Sequence, residues 1–407
     1  MNYHLDRLSC FFFFIVAISL VSSHASFAAT ITPFSPSDYS PALAVDMSGN
    51  PYLAWERVLD DQQNDIFFTK SADGGTTFLP SKCINTNPHT QARASLAIDR
   101  LGNPFVVWFD TRDGQSHIYF ARSYDGGDTF STPLRIDSFS EPGEIPQISF
   151  DSKGNPVVVW VRVKWYNWKN PLGHIYITRS YDGGVTFLPS VCVDCNLKPY
   201  QQGWPSLAID AQDNAVVAWH DFRNGNWDIY LSKTTNGGLT FSPSALVVNN
   251  PSHQFLLSKR ALAVDSSGNP HIAFSDNRNG NWDIYYVRSY NGGGSFLEPV
   301  SVDIGPAVQF MPTISVDLSN NPYLVWLKGV NGYPQVFFSK SLDGGQNFTP
   351  PQQIYAISAT QNRPYIVLDS LNNVHIVWVD NRSGRYDIYY TKSIDGGAIF
   401  STPVLVP

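Results

Sequence analysis

Short apolar runs separated by turn residues recur along nearly the whole chain. A run such as "SLAID" is followed by a "GNP"-type turn, a second run such as "FVVW" and a loop of variable length. A third run such as "DIYF", a glycine-rich octet and a weaker fourth run such as "TFSTPLRI" complete the unit. Runs this short, rich in β-branched and aromatic residues and bounded by Gly, Asn and Pro, predict strands. The second run is apolar at successive positions ("PFVVW", "PVVVW", "PYLVW"), as in a strand covered on both faces. Helix-length periodicity is absent, so the chain is predicted to be all-β.

The octet sets the period. It occurs at residues 71–78, 123–130, 180–187, 234–241, 289–296, 341–348 and 393–400, with its third position recurring every 52 to 57 residues. One module is therefore copied seven times, which overrides any domain count taken from length. Seven four-stranded units of this size predict a seven-bladed β-propeller of four-stranded antiparallel blades; a solenoid would need shorter repeats and distinct capping units. The chain ends on a fourth-strand run, "STPVLVP", so blades and repeats are in phase. Residues 30–38 are candidates to pair beside that last strand and help close the ring.

In "SYDGGDTF" (123–130) the octet reads as a tight hairpin between third and fourth strands. Asp125 can accept backbone hydrogen bonds, the two glycines permit positive φ, and Phe130 anchors the loop in apolar packing. Asn236 and Asn291 replace the acid in two copies, which keeps the acceptor oxygen and loses the charge. A turn tolerates that exchange and a hard-metal site resists it, so the octets imply scaffold. The motif S-x-D-G-G-x-T-F resembles the Asp box of the sialidase and BNR-repeat families, over the whole chain after its first 29 residues. The resemblance implies a propeller with its boxes at the periphery. Its families span sialidases, other glycoside hydrolases, polysaccharide lyases, lectins and receptors, so it does not select an activity.

The first 29 residues read as an export signal: Arg7 in a polar start, an apolar run of 12 residues from Cys10 to Val21, then small residues ending "ASFAA". That run is short of the roughly 20 residues a bilayer span requires, and no second one exists. Residues 1–29 are thus expected to be a signal peptide and 30–407 a single propeller that is secreted, periplasmic or on the cell surface, with no stable membrane span after cleavage. The formal charge of −7 gives no basic footprint for nucleic acid. Cys83, Cys192 and Cys195 follow the signal. An exported chain favours oxidation, with Cys192 and Cys195 of "CVDC" as the candidate bridge and Cys83 single. A zinc site would need a second ligand pair and a redox site a helix start, and neither is visible. No metal or other cofactor is expected, and nothing in the sequence bears on oligomeric state.

Repeated residues hold the scaffold, so function is sought where the repeat breaks. If octets and "GNP" turns share one face, the opposite face carries the variable loops. Four second strands end in D-x-R (Asp110 and Arg112, Asp221 and Arg223, Asp276 and Arg278, Asp380 and Arg382). Recurrence favours loop ties over a ring of anion-binding arginines. Module three has the longest loop, with Trp165, Tyr166 and Trp168, and its following connection carries Tyr200 and Trp204. Such aromatics serve as a stacking platform for sugars or as ordinary core. Trp227 and Trp282, in paired "NGNWDIY" segments, read as repeat packing.

The sialidase resemblance implies three arginines on the substrate carboxylate, an aspartate acid/base, and a tyrosine nucleophile activated by glutamate. Its Arg-Ile-Pro motif is missing; "EIPQ" (144–147) lacks the arginine. Arg93 and Arg363 occupy matching positions just before first strands, with Lys259 and Arg260 nearby in module five, where they could meet an anion at the centre. Glutamate is scarce, and Glu56, beginning the first variable loop, and Glu144 are the leading candidates for the catalytic glutamate. Asp, Tyr and His220 in the loops leave a two-aspartate glycosidase or a tyrosine/histidine lyase open. The preferred expectation is a propeller binding a glycan or other extracellular ligand on its loop face through Arg93, Lys259, Arg363, Trp165, Tyr166, Trp168 and Trp204. A sialidase-like hydrolase or lyase and a structural protein-interaction module are the alternatives.

Overall fold

A computed structural model describes residues 36–59, 63–165, 171–195, 201–238 and 240–407. These lie in one compact unit, Ser35–Pro407; the preceding segment, Met1–Phe34, lies outside the described residues. The architecture is all-β, in seven antiparallel sheets, each built from one contiguous repeat and ordered in space as in sequence. Blade 1 runs Ser37–Val45, Pro51–Val58, Asn64–Lys70 and Lys82–Asn85 from first strand to fourth. Blade 5 departs slightly: its first strand is interrupted, leaving Gln254–Phe255 and Leu262–Val264 on the same second strand. Among the described residues no helix is long and apolar enough to cross a membrane.

The second strands are buried along most of their length, as their unbroken apolar pattern predicts. Each carries one large aromatic at the same place: Trp55, Trp108, Trp160, Trp219, Phe274, Trp326 and Trp378, all fully buried. That ring always packs with the preceding blade. Trp108 joins the cluster of blades 1 and 2, Trp160 that of blades 2 and 3, and so round to Trp55, which packs with Tyr365, Val377 and Tyr390 of blade 7. Every apolar sheet face thus finds a partner only when the ring is closed.

Among the described residues closure uses packing and not strand exchange; residues 30–35 of the segment expected to pair there lie outside the description. Ser37 and Asp38 belong to the first strand of blade 1, opposite Val58 and Arg57, and the last strand, Val404–Leu405, pairs with its own third strand. Residues 37 and 38 therefore do not extend blade 7 as expected; one backbone bond, Asp38 N–H to Tyr386 C=O at 2.7 Å, crosses the seam.

The octets are hairpins between third and fourth strands. Ser123 Oγ donates to Asp125 at 2.6 Å and accepts the Gly127 N–H at 2.8 Å, while Asp125 also accepts from the Thr129 N–H at 2.9 Å. These donors hold the exposed Asp125 carboxyl below the ordinary range. Asn291 accepts from the Ser295 N–H in the same way, at 2.9 Å. The Asn of each "GNP" turn caps the octet of its own blade, as Asn103 does for the Gly126 N–H at 3.1 Å. Both turn types therefore share one face, which leaves the other to the variable loops.

The second glycine of the octet also docks blades. Gly127 has φ +94° and lies so close to blade 1 that a Cβ would stand 2.5 Å from the Phe68 ring; Phe130 packs edge-on to the same ring at 5.2 Å. Gly114, in a loop, has φ +89° and nothing within 4 Å. Gly127→Ala should cost about 2–4 kcal/mol in denaturant unfolding, from backbone strain plus overpacking. Gly114→Ala should cost about 1 kcal/mol, from strain alone. Equal costs would mean that the glycine serves only its own turn.

Candidate functional site

First strands line the central channel, and each bends there. Register shifts fall between Tyr39 and Ala42, Ala92 and Ser95, Gly203 and Ser206, Phe310 and Thr313, and Asn362 and Tyr365, with a matching shift opposite Val159/Val161 in blade 3. At each bulge one non-glycine residue has positive φ: Ser40 (51°), Arg93 (57°), Ile145 (54°), Trp204 (48°), Met311 (55°) and Arg363 (50°). Left-handed backbone costs about 1–3 kcal/mol at such residues and persists where the surroundings over-determine it. A bulge re-aims a side chain: here it brings Ser40, Arg93 and Arg363 to the neighbourhood of Glu56, while Ile145 packs into the core of blades 3 and 4. In blade 5 the strand is interrupted, and Lys259 of "SKRALAV" takes the position of Ser40 in "YSPALAV".

Four of these residues form a charged cluster with Glu56. Glu56 lies near the end of the second strand of blade 1, opposite Tyr39, and is buried. Its carboxylate accepts from Ser40 Oγ at 3.0 Å and from the Arg93 backbone N–H of blade 2 at 2.6 Å. Arg363 of blade 7 donates to Ser40 Oγ at 2.5 Å. Lys259 spans the channel from blade 5, its Nζ donating to the Ala94 carbonyl of blade 2. The Arg93 guanidinium lies 5.1 Å from the Trp204 ring of blade 4, and its Nη1 is buried without a hydrogen-bond partner.

Burial and crowding perturb the titrating groups. Burial lowers the Lys259 pKa well below the ordinary lysine value; Glu56 opposes the shift and Arg93 and Arg363 add to it. Arg363 is lowered by burial, again with Glu56 opposing. Burial raises the Glu144 carboxyl, with Arg93 offsetting part of the effect. Tyr39 is raised, chiefly by burial. The site thus gathers three cationic side chains, a hydrogen-bonded glutamate and a second carboxyl biased towards its protonated form.

The structure brings together Glu56, Arg93, Lys259, Arg363 and Trp204, with Glu144 near enough to sense Arg93. Arg93 and Arg363 sit inside first strands, at the bulge, and not just before them; Glu56 is on a strand and does not open a loop. Trp165 ends a second strand opposite Pro171, its side chain lying outside the description, and Tyr166 and Trp168 lie outside the described residues. His220 is on a second strand, buried, with its pKa pushed down to about 3 by burial, so it is no loop acid or base. Ser40 and Tyr39 escaped the sequence reading. The signal that marks the ring is an X-Pro step at the bulge: Ser40-Pro41, Ile145-Pro146, Trp204-Pro205, Met311-Pro312 and Arg363-Pro364.

The D-x-R arginines are spent on the scaffold. Arg112, Arg223, Arg278 and Arg382 pair with the fully buried Asp110, Asp221, Asp276 and Asp380. They also lie over Tyr119, Tyr230, Tyr285 and Tyr389 at 3.8 to 4.2 Å. Cys192 and Cys195 form a disulfide beside His174, so the sulfurs of that potential ligand group are joined to each other. Burial pushes the Cys83 thiol up to about 11, away from nucleophilic character.

No family model matches the sequence, and no curated protein matches it. Among solved structures, an ulvan lyase from a new polysaccharide lyase family, bound to -[GlcA(1-4)Rha3S]-, superposes with a TM-score of 0.65 at 12% identity, over 90% of this chain and 96% of that one. A protein of unknown function from Dyadobacter fermentans gives 0.54 at 14% identity, over 75% and 94%. A Hadza microbial sialidase gives 0.48 at 16%, over 72% and 63%, a likeness too loose to carry an argument. At these identities what is shared is the fold. With seven antiparallel blades packed around a channel, this chain has a seven-bladed β-propeller fold, which it shares with the ulvan lyase.

Proposed function

We propose that this protein is exported and binds an acidic glycan at the loop-face mouth of its channel. The observation that carries the reading is the convergence of Arg93, Lys259 and Arg363 from three blades, with one buried guanidinium nitrogen left unpaired. Buried donors are nearly always satisfied, and a carboxylate or sulfate supplies the acceptor that Arg93 lacks. The superposition on a lyase bound to a glucuronate-containing ligand supports the ligand class. Export rests on the signal-like first 29 residues.

A second reading, catalysis at the same mouth, is favoured by Glu144, whose raised pKa suits a proton donor, and by Tyr39 opposite Glu56. A glycan array, combined with hydrolysis and elimination assays on the same glycans, separates the two. Under the binding reading, acidic glycans are retained and unchanged, and Arg363→Ala weakens them about 10- to 100-fold while leaving neutral glycans unaffected. Turnover lost in Glu56→Gln or Glu144→Gln would establish the catalytic one. No discrimination between acidic and neutral glycans would overturn both.

Lys259→Met provides an internal control. A lysine with a depressed folded-state pKa destabilises the protein below its ordinary pKa, and the penalty fades as pH rises through that value. The variant should therefore bind acidic glycans less well yet melt higher than wild type near about pH 7, with the gap closing towards about pH 10. A gap that widened with pH would contradict the burial of the Lys259 ammonium at the mouth.

A further inference from the structure

We infer that Trp227, Phe255 and Trp282 form sugar-stacking subsites running from the charged mouth across blades 4 and 5, so that the ligand is a chain of sugars and not a single one. This inference rests on the function proposed above. Trp227 and Trp282 stand just before the third strands of their blades, and Phe255 ends the first piece of the blade 5 inner strand. Their ring centroids follow one another at 5.5 Å and 5.2 Å, tilted by 41° and 39°. All three are half-buried. Phe222 continues the run on the other side of Trp227, at 5.2 Å.

Packing alone does not explain these tryptophans. The backbone at this position docks the next blade: Trp227 C=O accepts the Gln254 N–H at 2.7 Å, and Trp282 C=O accepts the Gln309 N–H at 2.8 Å. In blade 2 Ser116 does the same work, accepting the Gly143 N–H at 2.8 Å. Serine thus suffices for the joint; blade 7 has Tyr386 there, its ring 5.2 Å from Tyr39, and the larger rings of blades 4 and 5 join instead in one run through Phe255. Neighbouring asparagines hold the loops that carry them, Asn226 donating to Ser252 C=O at 3.0 Å and Asn281 to Ala307 C=O at 2.8 Å.

The run connects with the mouth. Phe255 opens the segment that carries Lys259. His220, beneath Trp227 and Phe255 at 4.8 and 5.3 Å, pairs in register with Gly203, the neighbour of Trp204, whose ring faces Arg93. Aromatic faces beside fixed cations suit a polymer with apolar sugar faces and regularly spaced acidic groups.

The test uses oligogalacturonates from disaccharide upwards and neutral cello-oligosaccharides of the same lengths, read by calorimetry and by quenching of tryptophan fluorescence. Wild type should bind longer acidic oligomers more tightly than the disaccharide. The double variant Trp227→Ser, Trp282→Ser, which copies blade 2, should lose about tenfold or more on the longest oligomer and leave disaccharide binding unchanged. An unchanged melting temperature establishes that the variant is folded; if it melts low, Trp227→Tyr, Trp282→Tyr should restore the length dependence. Affinity independent of length, or equally length-dependent in the serine variant, overturns the inference. Length-dependent binding of neutral oligomers with no preference for acidic ones supports the stacking run and refutes the acidic-glycan reading. Binding of neither series refutes both.

Discussion

A sheet that is apolar on both faces cannot stand alone, and every other feature of this molecule depends on how seven such sheets cover one another. Each blade buries a large aromatic against the blade before it, so no blade is complete until the seventh has met the first. Octets serve the same constraint from the rim. Their glycines turn the chain, and the close approach of Gly127 to Phe68 presses one blade onto its neighbour.

Polar contacts repeat this stitching at the inner edge. The Leu262 N–H donates to Ser206 Oγ at 3.1 Å between blades 4 and 5, and the Ile314 N–H to Arg260 C=O at 2.8 Å between blades 5 and 6. Arg363 to Ser40 and Arg93 to Glu56 complete it on either side of blade 1. The bulges follow from the same geometry. Straight first strands would present only their edges to the channel, whereas the left-handed residues at the bulges re-aim side chains such as Ser40, Arg93 and Arg363 towards one another. The strain is borne by the scaffold, and the identity of that residue is free to vary: serine, isoleucine, methionine, tryptophan and two arginines occupy equivalent places, with Lys259 at the matching position of the interrupted blade 5 strand.

That freedom explains what the sequence reveals and what it hides. The octet and the second-strand run recur because each blade needs them, so blade number and strand order are legible from spacing alone. Arg93, Lys259 and Arg363 are legible as a group because aligned repeats place them together. Ser40 is not, since its importance lies in linking Glu56 to Arg363 across the seam between the two ends of the propeller, a contact that leaves no local trace. Arg93 with Trp204 and Lys259 with Ala94 join blades that are not neighbours, so only the closed ring brings them together. The D-x-R arginines show the converse. Their recurrence marked them as structural, and they are consumed by buried aspartates.

The charge distribution links architecture to chemistry. An acidic chain of net charge −7 places cationic side chains from three blades in a narrow, low-dielectric mouth, where fixed charges act more strongly than on an open surface. Burial is the first cause of the depressed Lys259 pKa, and repulsion by Arg93 and Arg363 adds to it. Glu56 answers part of that repulsion without neutralising it, since its oxygens are engaged by Ser40 and a backbone amide and not by a guanidinium. The Arg93 Nη1 group remains unpaired as a result. Under the function proposed above, an incoming carboxylate or sulfate would add to the network without first breaking an ion pair, which is the physical reason that reading predicts selectivity for acidic ligands from so few residues.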